Sequence, residues 1–454
     1  MAMRLSCLLF LNLASSMSAF QAALKTRSST QTDSFFQVSA FAARTISIDE
    51  NAYRDMGGFD VWATQNGVLR ENGFSLTQDY NGDISVMTTQ DCPPGTRVLH
   101  VPTHLMLSSS RARAEFGNVD TAIRYLVDKG VQDQISQFYL MLKILLEYER
   151  GEDSPWYPWM DSLPRRFYNA VSMTDMCYEC LPPFVYSLSK IERVKFDVMF
   201  EALQFVEQLS RQTREDVELA RWAFSIVYTR CWGTDGEETQ IVPMADLFNH
   251  GEPAEAAIQY DDQGNCNIYV KDGVPAGSPL RLSYGSPTNP SRLMATFGFL
   301  DETAPASFCK IMVVKPSQQI IDIGYDFSRM LFYRDGSISE EVWDVVLYSI
   351  LDAFPDYQQA FYEAHMRGDP DTKNAIHGQF FLETANYLKK HVDTVLWQIG
   401  ELSKKAEGQD EAVHPRLPMI KRHNAYVKDT FLRVKEGLDP LVEEELARRQ
   451  AAGL

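Results

Sequence analysis

Apolar residues along this chain follow two periods, and the places where one gives way to the other mark its elements. Over residues 76–104 the apolar runs are short and are broken by Asn81-Gly82-Asp83 and Asp91-Cys92-Pro93-Pro94-Gly95, as expected of brief strands joined by tight turns. Over 135–148 the period lengthens: Ile135, Phe138, Met141, Leu142 and Leu145 recur at helical spacing, and Gly151 and Pro155 close that helix. Residues 156–183, rich in Pro and aromatics, read as irregular but packed. Helical spacing returns over 191–209 and 214–228, and strand-like runs resume near Ile241, at 257–260 and at 267–270. Beyond about residue 303 long helices dominate: 341–351, 357–365, 375–404 and 425–449, with 408–418 expected as an exposed loop. No internal repeat is visible. The pattern predicts an α+β chain, with a β-rich unit over 44–302 interrupted by an α-rich insert at about 112–215, then a helical domain over 303–454.

Size and charge narrow this picture. A chain of 454 residues, 45% hydrophobic and 12% aromatic, can bury two ordinary cores. Its 61 acidic and 43 basic residues give a net charge of -18, which repels a phosphate backbone. The basic run Lys421-Arg422-His423 is too short to reverse that, so no nucleic-acid partner is expected. Seven cysteines are too sparse for a disulfide scaffold. Cys177 and Cys180 form a C-x-x-C without a second pair, and packed thiols are the plain reading.

The first 43 residues read as a leader. Arg4 precedes the apolar run 8–13, and the small residues Ala14, Ser15, Ser16, Ser18 and Ala19 follow, the build of a secretory signal. That stretch is too short and wrongly flanked to span a membrane, and no membrane partner is expected. Residues 21–43 are rich in Ser and Thr, carry Lys25 and Arg27, and hold a single acid, Asp33. Ser18-Ala19-Phe20 and Ser39-Ala40-Phe41-Ala42 resemble the Ala-Phe junctions of bipartite plastid presequences in algae with secondary plastids. The expected destination is the plastid, with secretion as the alternative.

Candidate chemistry concentrates in 219–299. Leu219, Trp222, Ala223, Ile226 and Val227 form an apolar helical face with Arg230 near its end, where a cation is favoured; the same guanidinium can offer a ligand carboxylate a fork of donors. Trp232 is either a core residue or a channel wall. Asp246, Asn249 and His250 stand in an otherwise apolar run, and buried polar groups need partners. A Ser-His-Asp hydrolase would require a Gly-x-Ser-x-Gly elbow, which this chain lacks, and a lone His-Asp pair is more often structural than metal-binding, so no metal is expected. Tyr284 is either a core anchor or aims its hydroxyl at a reacting centre. Spacing does not choose between these readings.

Asn249-His250, Leu282-Ser283-Tyr284-Gly285 and Phe297-Gly298-Phe299 resemble the core motifs of SET-domain protein methyltransferases. Trp222-Ala223 through Thr229-Arg230, Val242-Pro243 with Asp246-Leu247, and Leu146-Glu147 with Ser154-Pro155-Trp156 and Leu163-Pro164 resemble its Rubisco large-subunit lysine methyltransferase subgroup. The resemblance covers roughly 55–445 and implies a SET-domain β fold with an inserted α-rich region, followed by an all-helical substrate-binding domain. It implies S-adenosyl-L-methionine as cofactor, met by Arg230 at its carboxylate and lined by Asp246, Asn249, His250 and Ile84. Tyr284 would be catalytic, and Trp232 and Phe297 would line the channel for a lysine of a protein substrate, such as Rubisco large subunit or a plastid aldolase. A monomer is implied.

The chain departs from the family pattern at two places. Asp83 and Ser85 stand where the first cofactor loop has glycines, so Cβ atoms intrude where backbone should approach. Phe297 replaces a common tyrosine. A catalytically inactive protein-binding module and a histidine methyltransferase are therefore the competing readings. The aromatic Trp232, where a histidine-directed member of the family has an asparagine, fits a lysine stem better.

Overall fold

The computed structural model describes residues 44–79, 82–233, 238–285, 290–307, 314, 316–326 and 329–453; the expected leader and both Ala-Phe junctions lie outside them. Five short strands precede the helical insert: β1 (Leu69–Arg70), β2 (Phe74–Gln78), β3 (Ile84–Thr88), β4 (Arg97–Val101) and β5 (Leu107–Ser108). After it, before the C-terminal region, come β6 (Trp232–Gly233), β7 (Thr239–Ile241), β8 (Ala256–Tyr260) and β9 (Cys266–Val270). They pair antiparallel as a four-stranded sheet in the order β1-β4-β9-β8, a β2-β3 hairpin and a three-stranded sheet in the order β5-β7-β6. Strands from both sides of the insert thus share sheets, which is why the helices between them form an insertion and not a separate lobe.

The β2-β3 hairpin shows how local chemistry sets an element. Asp79 accepts the Asp83 N–H through its carboxylate at 2.9 Å, and Gly82 takes a left-handed φ of 86°, a conformation that favours glycine. Val86, opposite Leu76, is buried. The far edge of β3 is also occupied, because the Leu280 N–H donates to the Val86 carbonyl at 2.8 Å and Thr88 N–H to the Ser278 carbonyl at 2.9 Å.

Helices between β5 and β6 run from Ser109 to Arg230. The helix Ile135–Arg150 ends where Gly151 turns left-handed (φ 55°). The helix Val217–Arg230 starts on Asp216, whose carboxylate caps the N–H groups of Glu218 and Leu219 at 3.1 and 3.0 Å. Its inner residues Ala220, Ala223, Ile226 and Val227 are fully buried, so the apolar stripe of the sequence is its packing face.

Among the described residues the C-terminal region is mostly helical, with an antiparallel ladder of β10 (Ala306–Ser307) and β11 (Phe332–Tyr333), too short to leave a periodic signal. Two expectations there need correction. The run predicted as one helix over 375–404 is two, Pro370–Gln379 and Phe381–Glu407, because the chain leaves helical geometry at the buried Phe380. The loop expected to be exposed over 408–418 ends in buried residues: Arg416 donates to the Phe167 carbonyl at 2.8 Å and pairs with Glu50. Leu417 already begins the final helix, Leu417–Ala452, with Pro418 in its first turn, where its missing N–H costs nothing.

Among the described residues one apolar core runs through 46–282 and a second through 306–442. Phe184 of the helix Pro183–Leu203 belongs to the second, and a smaller cluster including Met173, Met294, Leu417 and Ile420 lies where the two regions meet. Cys177 and Cys180 are buried free thiols. No helix among the described residues is long and apolar enough to cross a membrane.

Candidate active site

The helix Val217–Arg230 delivers its terminal arginine to the turn 242–248. Arg230 Nη1 donates to the Asp246 carbonyl at 2.8 Å and to its carboxylate Oδ2 at 3.0 Å. The fully buried Trp159 adds its indole N–H to the same Oδ2 at 3.2 Å. Met244, buried and left-handed at φ 76°, bends the chain into the short turn that carries Asp246. A non-glycine residue held there is strained and persists because its surroundings enforce it.

Asn249 and His250 lie beside the Leu282-Ser283-Tyr284 segment. The Leu282 N–H donates to the Asn249 carbonyl at 2.9 Å, and Gly251 N–H returns to the Leu282 carbonyl at 3.0 Å. The Tyr284 N–H donates to His250 Nδ1 at 3.1 Å, so the neutral ring carries its proton on Nε2. Burial, foremost, holds this histidine below its usual pKa, against the pull of Asp301 and Glu252. The Tyr284 hydroxyl donates to the Phe248 carbonyl, and burial pushes its pKa up to about 12. It therefore stays protonated at neutral pH.

Aromatic rings gather around that tyrosine. Phe297 lies 5.0 Å from it, His250 5.4 Å and Phe299 6.2 Å between ring centres. Gly298 explains why the two phenylalanines flank a glycine. Its φ is 82°, and a Cβ there would stand 2.4 Å from the Asn169 nitrogen and 2.5 Å from the Tyr168 carbonyl carbon.

Arg230 and Asp246 form one bonded group and Asn249, His250, Tyr284 and Phe297 a second; the two meet at the turn 242–248, where the Tyr284 hydroxyl bonds the Phe248 carbonyl, and the Asn249 amide reaches Ile84, donating to its carbonyl at 3.0 Å. Trp232, on β6, gives its indole N–H to the Tyr260 hydroxyl at 2.7 Å. Of the two residues in place of glycines, Ser85 meets Asn249 (Nδ2 to Oγ 3.0 Å). Asp83 has its pKa raised by burial and then by Asp79, while Arg54 pulls it down.

Sequence reasoning did not single out Arg54, Trp159 or Arg165. Arg54 donates to the Ser162 carbonyl at 2.8 Å and the Gly82 carbonyl at 3.3 Å. Its pKa falls to about 10, through burial first and then the cations Arg230 and Arg165. None of the three belongs to a recognisable motif; Trp159 and Arg165 lie in 156–183, read as irregular but packed, and Arg54 precedes the first strand-like run. Beside these residues, the buried polar atoms without a hydrogen-bond partner include Arg230 Nε, Asp246 Oδ1, His250 Nε2 and Arg165 Nε; His250 Nε2 lies 3.9 Å from Asp301 Oδ2.

No protein-family model matches the chain. Among curated proteins it is similar to an actin-histidine N-methyltransferase of Drosophila melanogaster, with 21% identity over 294 residues, 58% of this chain and 52% of that protein. The chain thus spans about half the length of the curated relative it matches. Among solved structures it superposes on Rubisco LSMT bound to AdoMet with a TM-score of 0.60 and 16% identity, covering 88% of this chain and 96% of that one. The SET domain of LSMT bound to lysine and AdoHcy also gives 0.60 and 16%, covering 87% and 93%. At such identity the likeness is one of fold: the chain has the SET-domain α+β architecture with its inserted helices and helical C-terminal region.

Proposed function

We propose that this chain is an S-adenosylmethionine-dependent methyltransferase that modifies a lysine side chain of a protein. The observation that carries the reading is the pair of buried atoms without a hydrogen-bond partner, Arg230 Nε and Asp246 Oδ1, on side chains close enough to act on Tyr284. A buried polar atom left unpaired costs about 1–3 kcal/mol, so such a group fits a site completed by a polar ligand. S-adenosylmethionine would supply an electrophilic methyl group, a carboxylate and an ammonium. Arg230, with Arg54 near it, would hold the carboxylate; Asp246, Asn249, His250 and Ile84 would line the remainder.

The other residues prepare the acceptor. A lysine amine has a reference pKa of about 10.4 and attacks only when neutral. The rings of Phe297, Phe299 and His250 crowd Tyr284, and an apolar wall favours the uncharged amine. The protonated Tyr284 hydroxyl orients the reacting groups, so catalysis rests on positioning and electrostatics.

A histidine target is the second reading, supported by the name of the curated relative. An inactive binding module is the third, motivated by Asp83 and Ser85. The deciding experiment incubates the protein with labelled S-adenosylmethionine and plastid extract, with Rubisco large subunit and plastid aldolase as first defined substrates, and locates the label by mass spectrometry. Methyl-lysine is expected. Methyl-histidine would select the second reading, and bound cofactor without any labelling the third. The same proposal takes residues 1–43 as a plastid-directing leader. A fluorescent fusion of that segment found in the medium or cytosol of an algal host would refute it.

A further inference from the structure

The two side chains that stand in place of loop glycines differ in what they touch, and Ser85 is the one bonded to the site. Asn249 donates from Nδ2 to two acceptors on β3, the Ile84 carbonyl and the Ser85 hydroxyl, each at 3.0 Å. A primary amide has two N–H donors, so both are spent. Neither end of this bridge is free to drift. β3 is paired with β2 through Thr77 and Ser85 and held on its other edge by Leu280 and Ser278, which bond Val86 and Thr88, while the Asn249 carbonyl is fixed by the Leu282 N–H.

We infer that Ser85 is a positioning residue: the Ile84 carbonyl, an acceptor only, turns Nδ2 of Asn249 towards β3, and the Ser85 hydroxyl takes the second amide proton and holds that pose, so that Oδ1 is the atom offered to the ligand. This rests on the S-adenosylmethionine reading. The hydroxyl compensates for the intrusion of the Ser85 Cβ, because without it one amide donor would lose its acceptor and the amide would be held by the Ile84 carbonyl alone. The group recognised at Oδ1 is then an N–H donor. The ammonium and the exocyclic adenine amine of the cofactor both qualify.

The test measures S-adenosylhomocysteine binding by calorimetry, with ligand-free thermal unfolding as the check that each variant folds. Ser85→Ala and Ser85→Gly should each weaken binding about fivefold, the worth of one ordinary hydrogen bond, and Ser85→Thr should restore it. In an Asn249→Ala background Ser85→Ala should have no further effect, since the two act as one unit. In ligand-free protein the Asn249 side-chain amide resonances, identified by their loss in Asn249→Ala, should shift in Ser85→Ala. S-inosylhomocysteine, which lacks the exocyclic amine, names the group: a penalty that persists assigns the ammonium, one that vanishes assigns the adenine amine.

Wild-type binding matched or exceeded by Ser85→Gly would show that serine obstructs the ligand and would overturn the inference alone, as would unshifted amide resonances. Absence of binding by the wild type would instead remove the methyltransferase reading, and the positioning role with it.

Discussion

At the scale of single residues, Arg230 has two duties that separate experimentally. Its guanidinium compensates the fully buried Asp246 carboxylate and keeps Nε open for a ligand. Arg230→Ala strips a buried anion of its cation, a change that typically costs about 3–5 kcal/mol, and should lower the urea midpoint accordingly. Arg230→Lys keeps the charge but loses the fork. It should leave most of the stability and weaken S-adenosylhomocysteine binding by about tenfold, 1.4 kcal/mol, as read by calorimetry. Tyr284→Phe probes a different property. Removing the hydroxyl leaves the Phe248 carbonyl without its donor, at a stability cost of about 1 kcal/mol. Methyl transfer should fall by on the order of 100-fold with cofactor affinity nearly unchanged, the mark of an interaction made in the transition state. Equal labelling by wild type and mutant would reject the role given to Tyr284.

At the scale of elements, the helix Pro290–Phe297 is useful to the site because of how it ends. Gly298 lets the chain turn left-handed while its Cα lies against the backbone of Tyr168 and Asn169, and this aims Phe297 and Phe299 at Tyr284. Gly298→Ala should cost on the order of 1–3 kcal/mol for the left-handed backbone alone, with the backbone clash added, so a sharp fall in Tm is expected in thermal unfolding. An unchanged Tm would mean that the close approach at Asn169 is relieved cheaply. The segment bearing Tyr168 is braced from outside as well: Arg416 bonds the Phe167 carbonyl and stacks 5.6 Å over the Tyr168 ring. A residue just before the last helix thus supports the wall of a site assembled some 120 residues earlier in the chain.

At the scale of the whole molecule, one buried histidine and one half-buried one tie stability to pH. His423 is fully buried and His391 packs its ring against Phe332 and Phe431. Burial lowers both pKa values from 6.5 to about 4. The folded protein keeps them neutral while the unfolded chain takes up protons below pH 6.5, so stability is lost as pH falls from 6.5 towards 4. Each should contribute a slope of about 1.4 kcal/mol per pH unit in that window. Urea midpoints measured between pH 7 and pH 5 should fall, and His391→Phe should flatten the decline. An unaltered slope in that variant would remove His391 from the account.

What the amino-acid order determined by itself were features that depend on near neighbours: the helical stripe ending in Arg230, the short strands between Gly and Pro turns, and the adjacency of Asn249 and His250. Periodicity and turn chemistry act over a few residues, so they are legible without a structure. Element ends were less so, as the break at Phe380 and the burial of Arg416 show, because distant packing decides them. The site depended on distance still more. Ser85 looked like an obstruction until chain closure placed its hydroxyl on an amide 164 positions away. Arg54 carried no signal until folding set it near Arg230, and Gly298 drew its necessity from the backbone of Asn169. Such pairings are fixed by how the strands on either side of the insert come together, a property of the closed tertiary structure that no local pattern encodes.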